Sequence, residues 1–331
     1  MAVTLEEAKV GMRDKVVQSV IDMFQRESLL LDRLTFDDAI SPGTGGSTLV
    51  YGYTQLLTPS MADKRAVNTE YTAGEAKRTE KTAKAIIMGG SFEVDRVIQN
   101  TSGAIDEMAF QAEQKVKAVR NYFHNLVING AAASSASGFV AGTFDGLRKL
   151  LAGTSNEFTS EVLIDTEEHM NSNANAFLDE VQNFVTAIDG EADMLMMNKS
   201  MLNKLRSVAR RAGYYERIED AFGRTVETFN GIPMIDLGKY YNGSASIDVV
   251  GTSAATSEAG AKTSIFAVSL GLDAFHGISP AGGAPINAYM PDMNEPGAVK
   301  KGEVELVAGV VLKNTLKAAV LNGIQIAPAT A

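Results

Sequence analysis

Apolar residues recur at steps of three and four through residues 5–25, at Leu5, Ala8, Met12, Val16, Val20 and Met23. That is the period of an amphipathic helix, so a helical arm is expected at the start of the chain. Ser41-Pro42-Gly43-Thr44-Gly45-Gly46-Ser47 then stops regular structure, because glycine and proline favour turn geometries that helices and ladders do not hold. From Leu49 through Tyr51 and Tyr53 the spacing turns strand-like, and it does so again at Phe92 and Val94 between Ser91, Glu93 and Asp95. Between these two signals, Ser60–Lys84 is polar and rich in both charges, with Gly74 near its middle. As a structureless loop inside a compact domain it would be unusually long. As a two-stranded arm with roughly 20 residues in each leg, at about 3.3 Å per residue, it would reach on the order of 65 Å. An isolated hairpin is marginal in water, so such an arm needs a surface to lie on, and a neighbouring subunit is the natural one.

The clearest periodicity runs from Ser102 to Asn129, where Ile105, Ala109, Ala112, Val116, Val119, Phe123 and Leu126 mark one face. Asp106 and Glu107 sit in the first turn and Gly130 just past the end, so a single helix of about 42 Å is expected. Two alanines make its seam thin for a coiled coil, which favours a spine lying across a sheet. Beyond the loop Ala131–Gly142, a helix is expected over Asn175–Asp189 with Phe177, Val181, Phe184 and Ile188 inward. Asp193–Met197 reads as a buried strand, followed by a helix capped by Asn198 and carrying Met201, Leu202, Leu205, Val208 and Ala209. Further strands are expected at Ile232–Ile235 and Ser264–Leu270, on either side of a Gly/Ser/Ala/Thr-rich insert, Asn242–Lys262. Glu303–Leu312 and Thr315–Val320 are expected to return as strands to the first half of the chain.

Composition narrows the function. With 45% apolar and 21% charged residues, the 331-residue chain folds rather than remaining disordered. The absence of cysteine removes disulfides, thiolate metal sites and thiol nucleophiles together. A net charge of −10 is the wrong sign for gripping a nucleic-acid backbone over a broad surface. Residues 1–10 lack the apolar stretch of a secretory signal, and Val304–Leu312, interrupted by Glu305, is too short to span a membrane, so a soluble protein made in a cytoplasm is expected. The glycosylation-like triplets at Asn100, Asn198 and Asn242 are then coincidental.

Candidate chemistry is sparse. Gly43–Ser47 lacks the lysine of a phosphate loop and leads into a strand, and Gly277-Ile278-Ser279-Pro280-Ala281 lacks the second glycine of a nucleophile elbow. His124, His169 and His276 are widely separated, with no metal-binding spacing. The acid pairs Glu6-Glu7, Asp37-Asp38 and Glu167-Glu168 place adjacent carboxylates on different sides of their elements, which suits solvated faces or ion pairs between subunits. Lys199, Lys204, Arg206, Arg210 and Arg211 make a basic helix that is expected to meet acidic neighbours. The fourteen methionines read as core fillers. No catalytic, cofactor-binding or metal-ligating residue is assigned.

The order of arm, polar hairpin, long helix and second α/β lobe resembles the major capsid proteins of tailed bacteriophages, with their Hong Kong 97-like fold. Local segments agree: Ala85-Ile86-Ile87-Met88 through Ser91-Phe92-Glu93-Val94, Phe144-Asp145-Gly146-Leu147, Met197-Asn198 through Gly213-Tyr214-Tyr215, and Gly231-Ile232-Pro233-Met234. The resemblance implies an α+β fold: residues 1–46 as N-arm and lead-in, 47–92 as the E-loop, 93–154 as the P-domain with spine helix 102–129, 155–285 as the A-domain, and 286–331 as return strands of the P-domain. It further implies a structural protein and not an enzyme, assembling with itself as hexamers and pentamers into an icosahedral virion shell around double-stranded DNA, without sequence-specific contacts. Portal and scaffolding proteins, and a decoration protein, are the implied partners, assembly is in the host bacterial cytoplasm, and no membrane is involved. Because Met1 stands directly before the arm, the scaffold is expected to be a separate protein. In some relatives an E-loop lysine bonds covalently to an asparagine of another subunit; Lys77, Lys81 and Lys84 lie in that region, with Asn287 or Asn294 as acceptors, although no motif fixes a pair. An encapsulin-type compartment is the alternative with the same fold, and a hydrolase with an unrecognised site is a third reading.

Overall fold

A computed structural model of the chain describes residues 28–329 except 41–45, 59, 102–106, 134–135, 137, 214–215, 220–224, 257–258, 281–285 and 293–295. The helix expected over residues 5–25 lies outside the described residues, as does the start of the expected spine at 102–106. The first half of the chain forms α1 (Leu29–Arg33), β1 (Phe36–Ala39), β2 (Val50–Thr58), β3 (Lys77–Lys84), β4 (Ile86–Asp95), α2 (Arg96–Thr101), α3 (Glu107–Asn129), β5 (Gly130–Ala131), β6 (Val140–Ala141) and α4 (Leu147–Leu151). The remainder forms β7 (Glu157–Thr159), α5 (Glu167–Ser172), α6 (Ala174–Thr186), β8 (Met194–Met197), α7 (Lys199–Arg211), β9 (Glu216–Glu219), β10 (Thr225–Phe229), β11 (Ile232–Asp236), β12 (Lys239–Tyr241), β13 (Ser246–Asp248), β14 (Lys262–Val268), β15 (Phe275–Pro280), β16 (Ile286–Tyr289), β17 (Val299–Leu312) and β18 (Ala318–Gln325).

Two sheets dominate. In the five-stranded one, β17 is the common partner, pairing with β4 over Val299–Ala308, with β16 over Glu303–Leu306 and with β15 over Gly309–Leu312, while β1 adds in parallel to β15. Along β17 burial alternates with the strand period: Val304, Leu306 and Ala308 are covered, while Lys301, Glu303 and Glu305 face outward. The covering element is α3, whose buried face is Met108, Ala112, Val116, Val119, Phe123 and Leu126. Ala109, expected on that face, is exposed, and Met108 takes its place because 3.6 residues per turn carry the stripe from Ala112 back to position 108. From Phe123 to Ile128 every residue of α3 is buried, since this end of the helix leaves the first sheet and enters a core shared with the second.

The second sheet has the order β7-β18-β14-β8-β11-β10-β9. Its strand β8 reads as four consecutive apolar residues because both of its faces are covered. Met194 and Met196 meet the α3 core, while Leu195 and Met197 meet the core beneath α6 and α7. Asn198 caps α7 as expected, its side chain accepting from the Met201 amide. The last strand departs from expectation. Glu303–Leu312 does return to the first half, but Thr315–Lys317 is a 3-10 turn capped by Asn314, and Ala318–Gln325 joins the second sheet between β14 and β7. Val320 faces the α3 core and Leu321 and Ile324 the opposite one, so this two-faced apolar strand is satisfied only in a sheet buried on both sides. Conversely, β15, drawn from the lobe that holds the second sheet, pairs in the first.

Gly302 lies directly opposite Phe92, and a Cβ there would stand 2.4 Å from the ring. Gly302→Ala is therefore expected to destabilise the fold by about 1–3 kcal/mol through overpacking. Adding Phe92→Leu should recover part of the loss, read as the midpoint of urea unfolding.

Candidate functional site

Most of the sparse chemistry expected from the sequence is dispersed or already in use. Among the described residues no group of three or more His, Asp or Glu is placed to hold a metal ion, and no helix is long and apolar enough to cross a membrane. His124, His169 and His276 lie in separate surroundings: His169 bonds Asp165, while neither ring nitrogen of buried His276 has a hydrogen-bond partner among the described residues. Ser279 is buried in β15, and Glu6-Glu7 lies outside the described residues. Glu167, in the first turn of α5, reaches Arg211. The basic helix α7 finds its acidic and carbonyl partners within its own chain. Lys204 donates to the carbonyls of Ile164 and Asp165, Arg206 bonds Glu227, and Arg211 donates to Asn171.

The distinctive surface is the arm. β2 and β3 pair antiparallel from Val50↔Lys84 to Thr58↔Lys77. Beyond the ladder, whose register shifts between Leu56 and Thr58, the legs stay side by side: Gly74 abuts Met61, and the Arg65 guanidinium lies 5.4 Å from the Tyr71 ring centre. The chain reverses at Val67–Asn68, with Asn68 at a φ of 66°, a left-handed conformation that asparagine tolerates. At about 3.3 Å per residue, the 17 steps from Val50 to Val67 correspond to roughly 55 Å of extended chain. Residues 60–78 are all exposed, including Met61, Val67 and Tyr71 at 65%, 87% and 64%.

Only the root of the arm packs on its own subunit. Tyr51 and Tyr53 sit with Ala85, Ile278 and Val311 on the first sheet. The Tyr51 hydroxyl donates to Asp37 Oδ2 at 2.6 Å, its ring meets His276 edge-on at 5.9 Å, and Lys313 Nζ lies 5.4 Å from its centre. Burial, and then the Asp37 carboxylate, push the phenol's pKa well up, so the donor stays protonated. Asp37, read from the sequence only as half of an acid pair, is thus the acceptor that fixes the arm. A second root lies where the described chain begins. Ser28 caps α1, accepting from the Leu31 amide, and meets His124 Nε2 at 2.8 Å; His124 Nδ1 lies 3.2 Å from the Leu237 carbonyl. A carbonyl only accepts, so Nδ1 carries the proton and Nε2 accepts from Ser28. Burial first, and then the charge of Arg120, lower the His124 pKa to about 4 against the bond to Leu237, so the ring is neutral at pH 7.

The first sheet also leaves one face open. Ile87 and Tyr289 are exposed at 64% and 56% beside Glu93, with Glu303 and Glu305 partly exposed on the same face. Asn287 stands opposite Glu305 on this sheet, and Lys77, Lys81 and Lys84 are exposed on β3; Asn294 lies outside the described residues.

A family model described as SU10 major capsid protein matches residues 21–233. No curated protein matches the sequence. Among solved structures, the chain is similar to the holo-SrpI encapsulin complex of Synechococcus elongatus PCC 7942, with 13% identity over 99% of this chain and 97% of that one, at a TM-score of 0.61. It is similar also to chains from Mycobacterium phage Ogopogo (14% identity, 89% and 91% covered, TM-score 0.52) and Mycobacterium phage Bobi (14%, 92% and 91%, TM-score 0.51). These likenesses bear out the expected fold, α+β of the Hong Kong 97-like type.

Neutral His124 has a consequence in acid. In the unfolded chain its pKa returns towards 6.5, so between pH 6.5 and about 4 the unfolded state binds a proton that the folded state excludes. Its contribution is intact above pH 6.5 and is lost as pH falls through that window, with about 2 kcal/mol gone by pH 5. Chemical unfolding of the purified chain at pH 7 and pH 5 should show this loss, and His124→Asn should make the difference smaller.

Proposed function

The chain belongs to the SU10 major capsid protein family and is a phage head-shell protein, and from that premise we propose that it tiles an icosahedral head as hexamers and pentamers. The observation that carries this reading is the arm, a limb whose outer half is exposed throughout and bears Met61, Val67 and Tyr71 with nothing among the described residues to cover them. A neighbouring copy supplies the cover. The outward face of its first sheet has matching character, with apolar Ile87 and Tyr289 beside Glu93 and Glu305, while Glu303 on that face pairs with Lys301. The arm brings Lys64, Arg65, Lys77, Arg78, Lys81 and Lys84 against four carboxylates, Asp63, Glu70, Glu75 and Glu80.

In this reading residues 1–46 are the N-arm and lead-in, 47–92 the E-loop, 93–154 and 286–331 the P-domain, and 155–285 the A-domain, with β15 and β18 exchanged between the two domains. The subunit acts structurally, without catalysis. It encloses double-stranded DNA without reading its sequence, assembles in the host bacterial cytoplasm, and works with portal and scaffolding proteins and, on the finished head, a decoration protein. The encapsulin compartment remains a second reading because of the near-complete structural overlap with SrpI.

Negative-stain electron microscopy and light scattering of the chain, expressed alone and with its genomic neighbours, test the proposal. Uniform closed shells are expected, containing DNA in the infecting context; protein cargo would favour the compartment instead. A stable 35.2 kDa monomer that never assembles, even with a scaffold supplied, would overturn both. Replacing residues 60–76 with a short Gly-Ser turn should leave the thermal unfolding of the subunit unchanged and abolish shells.

A further inference from the structure

Between the end of α3, α4 and the start of β14 lies a cavity of about 460 Å³, lined in part by Asn129, Arg148, Thr252, Ser253, Lys262 and Ser264. In a chain of net charge −10 its lining has, among the described residues, two cations and no carboxylate. Among those residues neither cation has an acidic partner. Arg148 stacks on Phe139, 5.0 Å from the ring centre, and reaches the Gly138 carbonyl at 3.5 Å; Lys262 makes no ion pair there. Glu157, across β18 from Ser264, is already engaged by the Asn322 side chain and the Gly153 amide.

The wall is preformed. Buried Asn198 places its amide nitrogen 2.8–3.0 Å from the Val250 carbonyl and the hydroxyls of Thr252 and Thr263, which share its two protons, while its oxygen caps α7. Thr263 passes its own proton to the Gly251 carbonyl. Among the described residues the hydroxyls of Thr252 and Ser253 are acceptors only, from Asn198 and from the Lys262 amide, so their protons are available to a ligand. Two cations and two free hydroxyl donors around one hollow form a receptor for a tetrahedral oxyanion.

We infer that this cavity binds a phosphate group through Arg148, Lys262, Thr252 and Ser253. Two sources share that chemistry, free phosphate and a phosphodiester of nucleic acid; only the second rests on the head-shell reading. Titrating the purified chain with inorganic phosphate by calorimetry and with a duplex oligonucleotide by fluorescence anisotropy separates them. If free phosphate is the ligand, its Kd rises at least tenfold in Arg148→Gln and in Lys262→Gln and is unchanged in Lys239→Gln, whose lysine pairs with Asp248 away from the cavity. If nucleic acid is the ligand, the oligonucleotide shows the same dependence, and the slope of its binding against salt falls by about one for each cation removed. Arg148 and Lys262 are exposed, so far-UV circular dichroism should confirm that both variants fold. Absence of binding by either probe, or binding that both variants leave intact, overturns the inference, whether or not the chain forms shells.

Discussion

The buried end of α3 is the constraint on which the rest of the subunit depends. For its first turns the helix is an ordinary amphipathic strut on a sheet, but from Phe123 to Ile128 it is enclosed on all sides by residues of both sheets. A helix in that position fixes two surfaces at once. Met88, Val304 and Leu306 of one sheet and Met194, Met196 and Phe266 of the other belong to one continuous apolar cluster around it. Full burial of a large apolar side chain contributes roughly 1.5–3 kcal/mol, so the relative placement of the two lobes rests on close packing rather than on a linker.

Against that fixed body, the projecting parts are held by few polar contacts. The hairpin meets its own subunit at its root, through Tyr51 and Tyr53 with Asp37, His276 and Lys313 around Tyr51, whereas the chain at Ser28 is anchored twice, by the bond to His124 and by Leu30, Leu31 and Leu34 in the main core. A hydrogen bond such as that from Tyr51 contributes only about 1 kcal/mol net. Such an arrangement leaves the hairpin directed but not strongly stabilised, which suits a subunit whose remaining stability comes from its neighbours by mass action. The arm, with six basic and four acidic side chains, stands out against the acidic overall charge of the chain, which in the proposed assembly lets like subunits repel broadly and attract where arm meets sheet.

Much of this was legible in the sequence wherever a repeat of one period exposed one buried face. The helical face of α3, the MLMM strand and the Asn198 cap all follow from local pattern, and the order of elements was enough to suggest the family. Where the pattern misled, the cause was non-local. Ala109 was placed inward by counting heptads, whereas the helix keeps its own period and buries Met108. β18 was sent to the wrong sheet because an apolar strand does not declare which partner covers its second face. Asp37 and His124 carried no signal of their roles, since each acts through a residue or backbone carbonyl distant in sequence, Tyr51 and Leu237.

The exchange of β15 and β18 has a mechanical meaning. The chain passes from the first sheet to the second after β4, returns for β15 to β17 and crosses again for β18, so the backbone is woven through the joint instead of crossing it once. Separating the lobes therefore requires strands of one ladder or the other to give way, in addition to the apolar packing around α3. The joint holds in tension as a seam sewn several times over does, where a single thread would only hinge.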